Sequence, residues 1–157
     1  MTSMTVIDPI SILKLTLAAG VSAAVVIEDL QHRRIPNSLC AVLLATGVAT
    51  AGFTRGWIGL KEGLLGAVVG FAVFLIPYGL GGLGGGDVKL MAGFGAMTGI
   101  HGVMPALFLA AVTGAATSIL YLLYSRMRGT AVPVAIPYAP SIVAGSLIVA
   151  FSQMGGK

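Results

Sequence analysis

The sequence predicts an all-α fold: a polytopic helical membrane bundle of about six transmembrane helices, the fourth short or partial. Three observations carry that expectation. Of the 157 residues 57% are hydrophobic, only 9% are charged, and the apolar residues gather in runs long enough to cross a bilayer. A soluble domain carries roughly 25% charged residues. Nine Lys/Arg and five Asp/Glu cannot clothe a water-facing surface at this length, so lipid must cover most of the exterior. One domain, residues 1–157, is expected.

Runs near 9–27, 38–54, 63–83, 103–124 and 136–154 approach the ~20 apolar residues that a spanning helix needs. The first is read as a span and not a signal peptide, because Asp8 and Pro9 precede it in place of a basic region and Glu28-Asp29 follow it. Segment 88–100 reaches only ~20 Å at about 1.5 Å per residue, short of a hydrocarbon core of ~30 Å. Residues 88–124 together are too long for one span, and Gly99, His101, Gly102 and Pro105 divide them. Gly66-x-x-x-Gly70 and Gly95-x-x-x-Gly99 place small residues on one helix face, where neighbouring backbones can approach closely.

Basic residues set the expected orientation. Arg33 and Arg34 follow the first span, Lys89 the third, and Arg126 and Arg128 the fifth, against Arg55, Lys61 and Lys157 on the other face. The positive-inside rule puts the first group in the cytoplasm. The cations are too few, and too closely tied to span ends, for a nucleic-acid surface. Cys40 alone allows neither an internal disulfide nor a cysteine zinc site, and it sits where a small buried hydrophobe fits.

Ionisable groups at membrane depth are costly, so each is a functional candidate. Asp8 precedes the first span and Glu62 adjoins Lys61 in a short loop, both suited to solvated roles. Glu28 and Asp29 end the first span. Asp87 follows Gly81-Gly82-Leu83-Gly84-Gly85-Gly86 and precedes Val88-Lys89. Glycine reaches backbone conformations that other residues adopt only with strain, and it lets an extended substrate strand come close. The structural alternative is that Asp87 merely caps a helix starting at Val88.

Gly79-x-Gly81-x-x-Gly84 formally fits a dinucleotide pattern, but a membrane span precedes it with no βαβ unit, and Lys89 is not placed as a Walker lysine. No His-Glu-x-x-His or Gly-x-Ser-x-Gly motif is present, and His32 and His101 fall on opposite membrane faces. No cofactor or metal is expected. Two acidic groups can hydrolyse a peptide bond with water alone if they share one proton. Like charges about 3 Å apart cannot both ionise, so one carboxyl keeps its proton while the other acts as base.

In these residues the chain resembles the type IV prepilin peptidase family, among membrane aspartyl proteases named for a Gly-x-Gly-Asp motif. Gly84-Gly85-Gly86-Asp87 fits that motif, with Lys89 its Asp-x-Lys extension. Asp29, followed six residues later by Ile35-Pro36-Asn37, resembles the family's other aspartate site and selects Asp29 over Glu28. Ile136-Pro137-Tyr138-Ala139-Pro140 resembles the segment opening the last helix. The resemblance covers about residues 20–145.

It implies a catalytic pair, Asp29 and Asp87. Gly84, Gly85, Gly86 and Lys89 would lie against the substrate, and Ile35, Pro36, Asn37, Pro137 and Pro140 would support the site. The substrate it implies is a prepilin or pilin-like precursor, whose short basic leader is cut on the cytoplasmic side for pilus or secretion-apparatus assembly. Location in the bacterial cytoplasmic membrane follows, with lipid as partner; Arg33, Arg34 and Lys89 suit lipid phosphates. The family's long form inserts a cysteine-bearing cytoplasmic region and also N-methylates the new N-terminus. This chain carries no such region, so the resemblance does not carry methyltransferase activity over. The compact form is more similar to peptidases of tight-adherence (Flp) pili than to archaeal preflagellin peptidases. The competing reading is a non-enzymatic scaffold or small proton- or cation-coupled transporter, with the glycine loop as its gate; another keeps the fold but takes an ordinary signal peptide.

Overall fold

Helix α1, Pro9–His32, opens on a proline, whose missing N–H costs nothing at a first helical position. The chain then turns through Arg33, whose φ of 51° lies in the left-handed region and whose N–H donates to the Asp29 carbonyl at 2.9 Å. The computed structural model describes residues 9–129 and 138–155. Pro36 is the extended N-cap of α2, Asn37–Gly79, and its carbonyl accepts from the Leu39 and Cys40 N–H groups. α3 is Gly85–Arg128 and α4 is Ala139–Gly155.

Two of these elements fold back on themselves. α2 is interrupted at Arg55 and at Gly56, whose φ of 57° and ψ of −139° suit glycine alone. Beyond the break, a Cβ on Gly63 would touch Ala51 and Val48, so the two halves pack antiparallel. Arg55 and Glu62 form an ion pair across the turn. α3 is interrupted at Gly99, φ 69° and ψ −178°. Met91 and Val103, on either side of that break, both border Gly70.

Segment 85–98 of α3 is the centre of the fold. From Val88 to Thr98 every residue except Lys89 is buried. α2 wraps it through glycines: a Cβ on Gly66 would lie 2.2 Å from the Gly95 carbonyl oxygen and 2.8 Å from the Gly99 carbonyl carbon. The two Gly-x-x-x-Gly motifs therefore meet each other. Gly47 lies against the backbone of Ala96 and Met97 in the same way, and Gly70 against that of Met91. Helices approach this closely where small residues leave room for the facing backbone.

The exterior is apolar. Met127 is 88% exposed, Phe53 and Leu80 83%, and Trp57, Phe108 and Phe151 69% each. Such a surface is the reverse of a soluble protein's and suits a lipid environment. α2 and α3 are long and apolar enough to cross a membrane.

The expected element boundaries need three corrections. The run placed at 63–83 ends at Gly79, because Gly81 takes φ 76° and Gly82 N–H turns back to the Pro77 carbonyl. The next helix starts at Gly85, not Val88, so Gly85 and Gly86 form its first turn and not a free loop. Pro105 does not interrupt α3: it lies inside the helix, and Gly99 alone leaves helical geometry there.

This packing predicts unequal glycine tolerance. Gly66→Ala should destabilise by about 1–3 kcal/mol, since its Cβ meets rigid backbone. Gly20→Ala, with nothing within 4 Å, should be neutral or slightly stabilising. Thermal unfolding of the purified protein in detergent reads both.

Candidate active site

The C-terminal end of α1 meets the N-terminal ends of α2, α3 and α4. α1 presents Ser22, Val25 and Asp29 inward, a spacing that puts all three on one helix face, and each is buried. Asp29 Oδ2 accepts a hydrogen bond from the backbone N–H of Ala139 at 3.2 Å, in buried surroundings. Ala139 is the first residue of α4, so the carboxylate satisfies one of the N–H groups that a helix start leaves without a partner. Glu28 points elsewhere, its Oε2 lying 2.9 Å from His32 Nδ1 on the exposed side. Asp29, not Glu28, faces the interior.

Asp87 is buried in the first turn of α3. Its Oδ2 accepts the Gly84 N–H at 2.9 Å, and its own N–H donates to the Gly84 carbonyl at 3.1 Å. The capping role foreseen as a structural alternative is thus present, one turn earlier than expected. It leaves Oδ1 without a part in the cap.

Around Asp87 the glycines have distinct surroundings. Gly84 is the extended N-cap. Gly85 borders the Tyr78 ring. Gly86 lies against Ile35, whose Cβ would be 2.8 Å from a Cβ placed there. Its carbonyl also faces Cys40 Sγ at 3.9 Å. Lys89 is exposed and donates to Asn37 Oδ1 at 2.8 Å, tying the start of α3 to the start of α2. Ile35, Pro36 and Asn37 thus stand beside Gly86 and Lys89, joining the two motifs in space. Pro140 is the second residue of α4, directly after the residue that bonds Asp29. Pro137, like Ile136, lies outside the described residues.

Both carboxylates sit on end turns, beyond the apolar run 9–27 and before that starting at 88. Burial raises Asp87 above the ordinary carboxylate range, the Gly84 N–H opposes this, and the Asp29 charge raises it further. Burial also raises Asp29, offset by the Ala139 N–H and by Arg33. Asp87 therefore lies within electrostatic reach of Asp29. Tyr138 and Cys40 lie within electrostatic reach of Asp87 as well. Among the described residues no group of three or more His, Cys, Asp or Glu side chains converges.

Sequence reasoning missed the Ala139 N–H as a partner of Asp29. A backbone donor has no residue-type signature, although Pro140 just after it marks a helix start.

Fold and site together define a membrane-associated helical protein that brings two buried carboxylates, from α1 and α3, to one end of a bundle. The chain belongs to the type IV leader peptidase family, whose model matches residues 16–119. The match contains Asp29, Ile35-Pro36-Asn37 and Gly84 to Lys89. Similar proteins include the prepilin leader peptidase/N-methyltransferase of Xanthomonas campestris pv. campestris, 30% identical over 78% of this chain and 44% of that protein. Those of Bacillus subtilis, 32% identical over 79% and 49%, and of Legionella pneumophila, 31% identical over 90% and 50%, carry the same name. The chain spans about half the length of the curated relatives it matches. No solved structure matches it.

The contact between Gly86 and Ile35 predicts a rescue. Gly86→Ala should displace the start of α3 and with it any activity that depends on Asp87, by roughly tenfold or more. Adding Ile35→Gly removes the Cβ that the new methyl would meet and should recover most of that loss, as read by turnover at equal protein level.

Proposed function

We propose that this chain is a membrane aspartyl endopeptidase that removes the short leader of prepilin-like precursors on the cytoplasmic side of the bacterial inner membrane. The observation that carries the reading is that Asp29 and Asp87 are both buried and that the charge of Asp29 reaches Asp87, in a member of the type IV leader peptidase family. The breaks at Arg55-Gly56 and Gly99 support six membrane passages, with segment 85–98 partial.

The two environments favour different roles. Asp29, with an N–H and Arg33 favouring its charge, is the base. Asp87, whose surroundings favour the neutral form, keeps the shared proton. Asp29 takes a proton from water, the resulting hydroxide attacks the scissile carbonyl, and Asp87 donates to the carbonyl oxygen. When the tetrahedral intermediate collapses, the proton held by Asp29 passes to the leaving amine and a hydroxyl proton of the intermediate returns to Asp87, restoring the pair. Gly84 and Gly86 leave the approach to Asp87 free of side chains, and Gly85 and Lys89 complete the substrate-facing strip. Arg33 and Arg34, both exposed, are placed for lipid phosphates. The short turn between α1 and α2 supports the compact Flp-pilus type.

Asp29→Asn or Asp87→Asn should each lower cleavage of a prepilin substrate by roughly 10³-fold or more, because Asn keeps size but cannot exchange the proton. Glu28→Gln should leave it within about threefold, and chelators should have no effect. Full cleavage by either Asn variant at normal membrane level would defeat the proposal. The pH profile follows from the raised carboxyls. Lowering pH protonates Asp29 and removes the base; raising it ionises Asp87 and removes the acid. The profile should therefore be a bell with both limbs above 3.8, the ordinary aspartate value.

A further inference from the structure

We infer that Lys14 and Gln153 are positioning residues for Asp87: from α1 and α4 they cap the far end of segment 85–98 and so fix where its first turn holds the carboxyl. The inference rests on the proposed role of Asp87 in cleavage.

Segment 85–98 is a short rod with Asp87 at one end and Thr98 at the other, roughly 16 Å away. The break at Gly99 takes helical partners from the carbonyls just before it, so other donors must serve them. Two side chains from other helices serve these carbonyls. Gln153 Nε2 donates to the Thr98 carbonyl at 3.0 Å. The Lys14 ammonium donates to the Met97 carbonyl.

Lys14 interrupts the apolar run of α1, where a cation is expensive, and a lysine near a helix end ordinarily reaches outward to water. Here it is half-buried and turned onto a helix C-terminus, where the partial negative charge of the peptide dipoles favours a cation. Gln153 reaches its partner across Gly102, whose missing Cβ would lie 2.3 Å from Nε2. A cavity of about 360 Å³ fills the space that the short segment leaves, lined by both residues together with Arg55, Glu62 and His101.

The rod is buried along its length and held by backbone contacts through Gly47, Gly66 and Gly70. It has little room to bend, so when its far end loses its donors the relief open to it is to shift or rotate as a unit. That movement reaches Asp87, where a displacement well under a helical turn alters the geometry with Asp29. Neither Lys14 nor Gln153 is near the carboxylates, so substrate binding should be spared.

The test measures kcat and KM of the purified full chain in lipid nanodiscs. Its substrate is a synthetic precursor peptide carrying a basic leader and the following hydrophobic helix. Lys14→Met and Gln153→Leu should each lower kcat roughly tenfold with KM within about twofold, and Lys14→Arg, which keeps charge and donors, should return kcat to within about threefold of wild type. Wild-type kcat in both Lys14→Met and Gln153→Leu would overturn the inference, as would a Lys14→Arg protein no better than Lys14→Met. If Lys14→Met fails to accumulate, Gln153→Leu decides alone by the same criterion. Asp87→Asn is the control: its inactivity beside unimpaired Lys14 and Gln153 variants would sink only the capping inference, whereas its full activity would sink the reading of the site itself.

Discussion

A helix too short to cross the hydrocarbon must be surrounded by protein, and the rest of this structure follows from that constraint on segment 85–98. The carbonyls and N–H groups left without helical partners at its ends cannot meet lipid. α2 therefore folds around it in two antiparallel halves, made possible by the left-handed glycine at position 56. The facing glycines 66 and 95 bring backbone against backbone. Gly47, Gly63, Gly66 and Gly70 of α2 let it close against the central helix, while Phe53, Trp57, Phe108 and Phe151 face outward.

The same arrangement makes the site. A buried central helix delivers its first turn to one end of the bundle, and Asp87 rides on that turn. Asp29 reaches it from α1 because the inward face that carries Ser22 and Val25 continues to position 29. The start of α4 then orients Asp29 through a single N–H. Two carboxyls held at helix ends, away from bulk water but not from each other, differ in proton affinity through ordinary causes: burial, one backbone donor each, and a nearby arginine for only one of them.

Much of this was legible in the sequence. Apolar runs gave the helical class, and the weak length of 88–100 gave the short central segment, because hydrocarbon thickness imposes a length that composition must meet. Asp87 was marked by its glycines. Asp29 was separated from Glu28 only by its spacing to Ile35-Pro36-Asn37; the structure adds a reason, since Glu28 turns outward to His32 while Asp29 turns in. What could not be read were contacts without a residue signature: the Ala139 N–H, the carbonyls beneath Lys14 and Gln153, and the seat of Gly86 against Ile35. The early start of α3 at Gly85 was hidden for a related reason. Three consecutive glycines predict a loop by propensity, and packing against Ile35 and Tyr78 overrides it.

The central claim is that Asp29 and Asp87 divide one proton between them. Isotope-edited infrared spectroscopy of the protein with labelled aspartate tests it most directly, since the carbonyl stretch of a protonated carboxyl is separate from that of a carboxylate. At about pH 5, where ordinary aspartates are ionised, one of the three aspartates should remain protonated, and Asp87→Asn should remove that signal. Finding all three ionised at that pH, or the protonated signal unchanged in Asp87→Asn, would contradict the account.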